Sequence, residues 1–446
     1  MNTKRRYIIQ FACLMVLFAA ILIQSFTPLV RMKPLDGFDK EEQEPVPLTF
    51  KTYYNASYQD YLTEHAKRNT GFREFFIRNY NQVAYTCFNK ITNNNIIKGY
   101  NQELYLRMYL DEVTGETLKR TFADVNSAKA VAQYNVRETL RLIDTLRAHH
   151  TDFLFVFAPS KPAVYPEMMP RRYQKQIADF SLEEYYIDLF NENGIPNIDF
   201  YHYFQSIKGN VPYPLYPRTG THWAEWTIPY VADSILKKLS EITDYKLPSI
   251  RYLDDNLTTD YSVQDGELEA SMNLLFPLNK PTLPKPVFEL ADTLDTDKPN
   301  LLVVGDSYFT QLRISPFVDA FKTWEFWVYN REVHSSIENH KWKQLETLLD
   351  ANEVLENADI VIAVFTAPMY YNYMFGFPNT VQNLYQHGII SDEAALNAAI
   401  QLIKEDEAWL KGVEEQAVER GITLEENLRI NAQYVLDMRF GNQQQP

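Results

Sequence analysis

From Tyr7 to Val30 the chain runs 24 residues without a charge, bounded by Lys4-Arg5-Arg6 on one side and by Arg31 and Lys33 on the other. Thirteen of those residues are Ile, Leu, Phe or Val, which together favour bilayer insertion by about 4 to 8 kcal/mol, enough to absorb Gln10, Gln24 and Ser25. The run is long enough for a hydrocarbon core of about 30 Å. It reads as a retained signal-anchor, 7–30, behind a cytoplasmic tail, 1–6, because a basic flank stays on the inner side. A cleaved secretory leader is the competing reading, yet Ala19-Ala20 falls mid-run, followed by Ile-Leu-Ile, where no cleavage site belongs. On either reading the bulk of the chain is exported, periplasmic or extracellular.

Beyond the run the pattern changes twice. Residues 31–50 are polar, with Pro34, Pro45 and Pro47, and read as a tether. Residues 51–120 read as a helical lead and a strand pair. Helices are expected over 56–68 and 71–90, where Phe75, Phe76, Tyr80 and Val83 recur at helical spacing, and strands are expected in 96–110 around Asn101-Gln102. From 121 to 390 helices alternate with short continuous apolar runs: Phe153–Phe157, a strand at Ile198, Leu301–Val304, Glu325–Val328 and Ile360–Val364. The intervening helices are placed at 126–149, 181–193 and 223–242. That alternation predicts an α/β fold, a mostly parallel sheet with helices on both faces. Ligands in such sheets gather beyond the C-terminal strand ends, here the loops 158–166, 305–310 and 365–378. Residues 245–298, rich in Asp and Pro, read as an irregular, lid-like insertion. A C-terminal helical appendage, 391–446, is expected to start at Ser391 and to break at Gly421-Ile-Thr.

Composition narrows the function. A net charge of −15 argues against a nucleic-acid partner. The two cysteines are Cys13, inside the apolar run, and Cys87, so the exported part has neither an internal disulfide nor a cysteine metal site. No pair of histidines has metal-ligand spacing, and no nucleotide motif occurs; no cofactor is expected.

Three loop motifs carry chemistry. Gly305-Asp306-Ser307 directly follows a buried strand and places a serine hydroxyl at the sheet edge, where the Ser307 N–H and a neighbouring group, with Asp306, Lys161 and Tyr165 lining the site, would receive an oxyanion. Capping of the next helix by Asp306 or Ser307 explains the same tripeptide. In Arg218-Thr219-Gly220-Thr221-His222-Trp223, His222 is placed to act as a general base; alone, it reads more readily as a structural histidine, and only the company of the serine favours the base. The third motif, Ala158-Pro159-Ser160-Lys161 through Tyr165-Pro166, reads either as site lining or as a rigid strand-to-helix turn.

In this order the motifs resemble those of the SGNH-hydrolase-like alginate O-acetyltransferases of the AlgX/AlgJ type: a P-S-K…Y-P loop, a D-x-H-W segment, then a strand running into G-D-S. Thr70-Gly71-Phe72-Arg73 and Arg78-Asn79-Tyr80-Asn81 resemble that family's leading helices, and the likeness extends over roughly 45–390. It implies that Ser307 is the nucleophile taking an acetyl group and His222 its base. The family's acid is missing, since Gly220 stands two residues before His222; Asp199 and Asp254 are the possible orienting acids. Losing that group in a serine triad costs about four orders of magnitude, so a non-catalytic glycan-binding or scaffold relative stands beside the enzyme readings, with loops 324–329 and 365–378 as stacking surfaces. The enzyme readings are an O-acetyltransferase acting on an exported polysaccharide and an esterase using water instead. The resemblance also implies a multi-spanning membrane partner that delivers the acetyl group.

Overall fold

The computed structural model describes residues 3–37, 45–291, 297–330, 332–336, 354–386, 399–401, 403–404 and 406–440. The chain divides into two units: Met1–Arg107 with Arg218–Gly220 and Gly266–Pro281, and Met108–Pro217 with Thr221–Asp265 and Thr282–Pro446.

In the first unit the apolar run forms helix α1, Thr3–Phe26, whose segment Lys4–Phe26 is long and apolar enough to cross a membrane, with Gln24 its one buried residue. Its polar residues have specific uses. Gln24 hydrogen-bonds the backbone of Val30 with both ends of its amide, at 2.7 and 3.1 Å. Ser25 Oγ accepts from Gly71 N at 2.7 Å. Helices α2, Ser57–Asn69, and α3, Arg73–Phe88, follow. The buried side of α3 is held by Asn81, which donates to Met272 O at 2.9 Å, and by Arg78, which donates to Pro34 O at 2.8 Å. Strands β1, Ile96–Lys98, and β2, Leu104–Leu106, pair antiparallel around Asn101 and Gln102, both in the left-handed region. Ile96 and Leu104 pack on Leu268 and Met272. Residues 218–220 belong here: Arg218 O accepts from Leu104 N at 2.9 Å and Thr219 O from Leu268 N at 3.0 Å.

The second unit is the α/β body. Strands β3, Asp152–Ala158, and β4, Asn197–Asp199, pair in parallel. Strands β5, Ser249–Thr258, and β6, Leu283–Ala291, form a separate antiparallel sheet. Strands β7, Asn300–Gly305, β8, Thr323–Val328, β9, Glu332–Ser335, and β10, Ile360–Thr366, complete the main sheet in the order β4-β3-β10-β7-β8-β9. Every pairing is parallel except β8 with β9 at the edge. Both faces are buried, since Leu154 and Val156 are as inaccessible as Phe155 and Phe157, and this is why the runs are continuous rather than alternating. One face lies under helices α4, Val125–Ala148, and α5, Leu182–Glu192, with Leu142, Ile143, Tyr186 and Phe190 against Phe155, Phe157, Phe365 and Val304. Phe155 meets Phe190 edge-on at 4.8 Å; truncating one such ring to Ala costs roughly 3 to 5 kcal/mol.

Three expectations need correction. Residues 245–298 are not irregular: β5 and β6 pair from Ser249↔Ala291 to Thr258↔Leu283. Pro284 and Pro286 sit two apart on β6, so both missing N–H groups fall on the same side of a strand that has only one neighbour. The helix expected from 223 starts later: α7 is Ile228–Ile242, behind a tight turn at Glu225–Thr227. The aromatics proposed as stacking surfaces are largely core, with Trp327 at 0% and Tyr370 at 2% exposure and Tyr373 stacked on Tyr186 at 5.1 Å. At the C-terminus, helices Glu407–Arg420 and Leu424–Phe440 break at Gly421, and Thr423 and Glu426 form a capping box at 3.0 and 3.2 Å. The start proposed at Ser391 lies outside the described residues.

Two predictions follow from this interior. A Cβ added at Gly305 would stand 2.6 Å from Val364 O on β10. That contact is with backbone and cannot swing away, so Gly305→Ala is expected to destabilise by roughly 1 to 3 kcal/mol; an unchanged melting temperature would contradict the packing. Burial also pushes the Glu112 carboxyl up to about 8, against a hydrogen bond with Tyr371, and raises Glu183, where the charges of Glu112 and Asp199 add to burial. Between the unfolded value of 4.5 and about 8, the unfolded chain releases the Glu112 proton and the folded one keeps it. Stability therefore falls as pH rises through that window. Thermal melts across it should show a shallower fall for Glu112→Gln.

Candidate active site

The backbone at the end of β7 is fixed from both sides. On the β10 side Asp306 N donates to Val364 O at 3.1 Å, and on the β8 side Tyr329 N donates to Gly305 O at 2.8 Å. The Asp306 side chain, 1% exposed, turns back into the sheet. Its carboxylate accepts from Tyr308 N at 2.9 Å, Thr366 N at 2.8 Å and Thr366 Oγ1 at 3.0 Å. Burial raises its pKa, while these bonds and the nearby His222 pull it down. The carboxylate thus takes the capping role, and the next residue is released from it. Ser307 Oγ lies 2.8 Å from His222 Nε2.

His222, 9% exposed, is placed by the residue after the serine. The Tyr308 ring packs on the imidazole at 4.8 Å and on Trp223 at 5.2 Å, and its hydroxyl donates to Thr221 O at 2.9 Å. Trp223 is in turn wedged against Phe200 and Phe204 of helix α6, Phe200–Ile207. Just beyond, Asp265 Oδ1 accepts from Glu225 N at 3.0 Å and steadies the turn ahead of α7.

The other residues singled out from the sequence have partners of their own. Lys161 is buried, and its ammonium donates to Pro217 O at 2.7 Å. Tyr165 accepts from Leu215 N at 3.1 Å through its hydroxyl, and Tyr216 OH reaches back to Pro159 O. Loop 158–166 is therefore a clamp on residues 215–217, the approach to the histidine. Asp306 supplies no oxyanion donor, because its N–H is bonded to Val364 O. Asp199 is engaged with its own helix, capping His202 N at 2.9 Å and contacting His202 Nδ1 at 2.6 Å. Asp254 is an exposed residue of β5 opposite Val287. The Asp306 carboxylate lies within electrostatic reach of His222, although burial holds its own pKa above the ordinary value. Among the described residues no group of three or more His, Cys, Asp or Glu side chains is arranged to hold a metal.

Three residues near the serine went unnoticed in the sequence: Tyr308, Thr366 and Tyr329. The Tyr329 hydroxyl, its pKa raised by burial, lies beside Ser307, which pulls that pKa back down. Its backbone is left-handed at φ 54°, a conformation costly for a bulky residue and found where a side chain must be aimed. Its only sequence signal was its place one residue past an apolar strand, level with the strand end that precedes Ser307.

Tyr308→Phe tests the placement of the base. It removes the bond to Thr221 O and leaves the ring, so a stability loss of about 1 kcal/mol is expected, with a fall in serine reactivity larger than the fall in stability accounts for. Reactivity that simply tracks stability would assign Tyr308 to packing alone.

Residues 118–320 match the family model described as the SGNH hydrolase-like domain of acetyltransferase AlgX. This segment includes Ser307, Asp306 and His222, and ends ahead of β8 and β10. No curated protein matches the sequence. Among solved structures, the O-acetyltransferase domain of Pseudomonas putida AlgJ is similar with a TM-score of 0.41 at 16% identity, over 64% of this chain and 99% of that one. Pseudomonas aeruginosa AlgX gives 0.41 at 14% identity over 64% and 66% of the two chains. Bacillus cereus PatB1 gives 0.37 at 10% over 56% and 93%. Over residues 118–320 the chain is thus similar to the SGNH hydrolase-like domain of acetyltransferase AlgX.

Proposed function

We propose that this protein is a membrane-anchored, extracytoplasmic O-acyltransferase that acetylates hydroxyl groups of an exported polysaccharide through Ser307. The observation that carries the reading is the 2.8 Å approach of Ser307 Oγ to His222 Nε2, at the C-terminal ends of parallel strands and within the segment matching an acetyltransferase family. In the first half-reaction Ser307 Oγ attacks the carbonyl carbon of an acetyl ester or thioester, and its proton passes to His222 Nε2. The bond to the leaving group breaks, and that group takes the proton from His222. In the second half a sugar hydroxyl attacks acetyl-Ser307, gives its proton to His222, and the proton returns to Ser307 Oγ as the serine leaves.

Gly220 does not silence such a site on this reading. The Asp306 charge stabilises the imidazolium from behind the serine, and packing on Tyr308 supplies the orientation that a triad acid otherwise gives. The Ser307 N–H and the Tyr329 hydroxyl are the candidate oxyanion donors. The acetyl group would come from a multi-spanning membrane acyltransferase on the same bilayer. Hydrolysis uses the same serine and histidine and differs only in the acceptor.

Incubation of the full-length protein with an activated acetyl ester and an oligosaccharide should give a peptide acetylated at Ser307 and then an acetylated sugar. Ser307→Ala and His222→Ala should each lower turnover by about 10⁴ or more, with the double variant no worse than either single one. Turnover unchanged in Ser307→Ala would end the serine mechanism, and acetate released without sugar acetylation would make the protein an esterase.

A further inference from the structure

Helix α3 carries an apolar stripe that none of the described residues covers. Phe76, Tyr80, Val83 and Cys87 fall four, three and four residues apart, which is one face of a helix. All four are exposed, Tyr80 at 65% and Val83 at 52%, and Phe75 and Phe88 flank them at 45% and 74% exposure. A soluble protein rarely leaves so many large apolar side chains together in water.

The corner between α2 and α3 shows what covers the stripe. Gly71, at that corner, is buried against the last turns of α1: its N–H donates to Ser25 Oγ at 2.7 Å. A Cβ added there would overlap the Ile21 carbonyl and come within 2.7 Å of Gln24 Cβ. Ile21–Ser25 is still inside the uncharged run, which continues to Val30. About two turns further on, Arg78 ties α3 to Pro34 O at 2.8 Å. If α1 crosses a bilayer, the start of α3 is held at the depth where the hydrocarbon gives way to headgroups, and Phe75 and Phe76 lie within a turn and a half of that point. Charge agrees with this placement. Residues 57–90 contain five Lys or Arg against three Asp or Glu, in a chain whose net charge is −15.

We propose that the Phe76-Tyr80-Val83-Cys87 face of α3 lies in the headgroup region of an anionic bilayer, as a second, interfacial attachment beside the spanning helix. Aromatic and apolar side chains backed by basic residues suit that zone. The inference rests on the anchor reading of α1. Its consequence is orientational: a spanning helix alone leaves the first unit free to tilt with it in the bilayer, whereas a helix laid along the surface fixes that tilt.

Cys87 makes the test direct, because it lies on the stripe and the only other cysteine is Cys13. The full-length Cys13→Ser protein, reconstituted in phosphatidylethanolamine and phosphatidylglycerol vesicles, is spin-labelled at Cys87. Collisions of the label with oxygen and with a water-soluble nickel complex are then measured. A Cys13→Ser/Cys87→Ser/Ser206→Cys protein, labelled at the exposed Ser206 of the second unit, is the aqueous control. The oxygen-to-nickel ratio at Cys87 should exceed the control several-fold, and Tyr80→Glu/Val83→Glu should bring it down to the control. A protein retained on alkaline carbonate washing whose Cys87 label matches the control would overturn the interfacial face alone. A label shielded from oxygen and nickel alike would replace lipid by a protein surface and overturn it too. Release by carbonate would overturn the anchor reading and the face together.

Discussion

The Asp306 carboxylate is the constraint on which the site depends. A carboxylate 1% exposed is tolerable only if its lone pairs are satisfied, and here two backbone N–H groups and the Thr366 hydroxyl satisfy them. Those bonds bind the turn after β7 to the end of β10 and to the residue after the serine. Take them away and Tyr308 N and Thr366 N are left buried without an acceptor, at roughly 1 to 3 kcal/mol each. The same bonds leave Ser307 with its hydroxyl turned to His222, and they keep a negative charge close to the imidazole. One side chain thereby sets the geometry of Ser307 and lies electrostatically close to His222.

Rigidity around this turn comes from the sheet. Gly305 pairs with Val364 on one side and with Val328 on the other, and its lack of a Cβ admits the β10 backbone. A glycine directly after an apolar strand, as Gly305 is, ordinarily permits a tight turn. The structure gives it a close approach of strands, a packing requirement and not a conformational one. His222 is held by packing and hydrogen bonds of another kind: Tyr308 and Trp223 against the ring and its neighbours, and the clamp from Lys161, Tyr165 and Tyr216 on residues 215–217. The serine is fixed by the sheet and the histidine by the loop clamp, and Tyr308 links the two.

What could be read from the sequence follows from how local each signal is. The runs 153–157, 301–304 and 360–364 had to be buried strands because both faces of a parallel sheet are covered, and the loops at their ends were visible as a consequence. The pairing of Ser307 with His222, 85 residues apart, came from motif order and resemblance, since no local pattern encodes it. Lys161 misled because a lysine in a Pro-flanked loop looks exposed, and its acceptor, Pro217 O, is known only once the chain is folded. Asp199 looked available at a strand end, yet a helix cap three residues long had already engaged it. The β5–β6 hairpin was hidden because Asp and Pro signal loops, and a two-stranded sheet has outer edges where Pro does no harm.

The central claim is that His222, held by the loop clamp 2.8 Å from the serine that the Asp306 turn positions, activates Ser307. It is tested most directly with a fluorophosphonate, which reacts with an activated serine whatever its natural donor or acceptor. The account predicts a single labelled residue, Ser307, with labelling lost in His222→Ala while the fold is retained. Labelling that is absent from the intact protein, or that proceeds equally without His222, would contradict it.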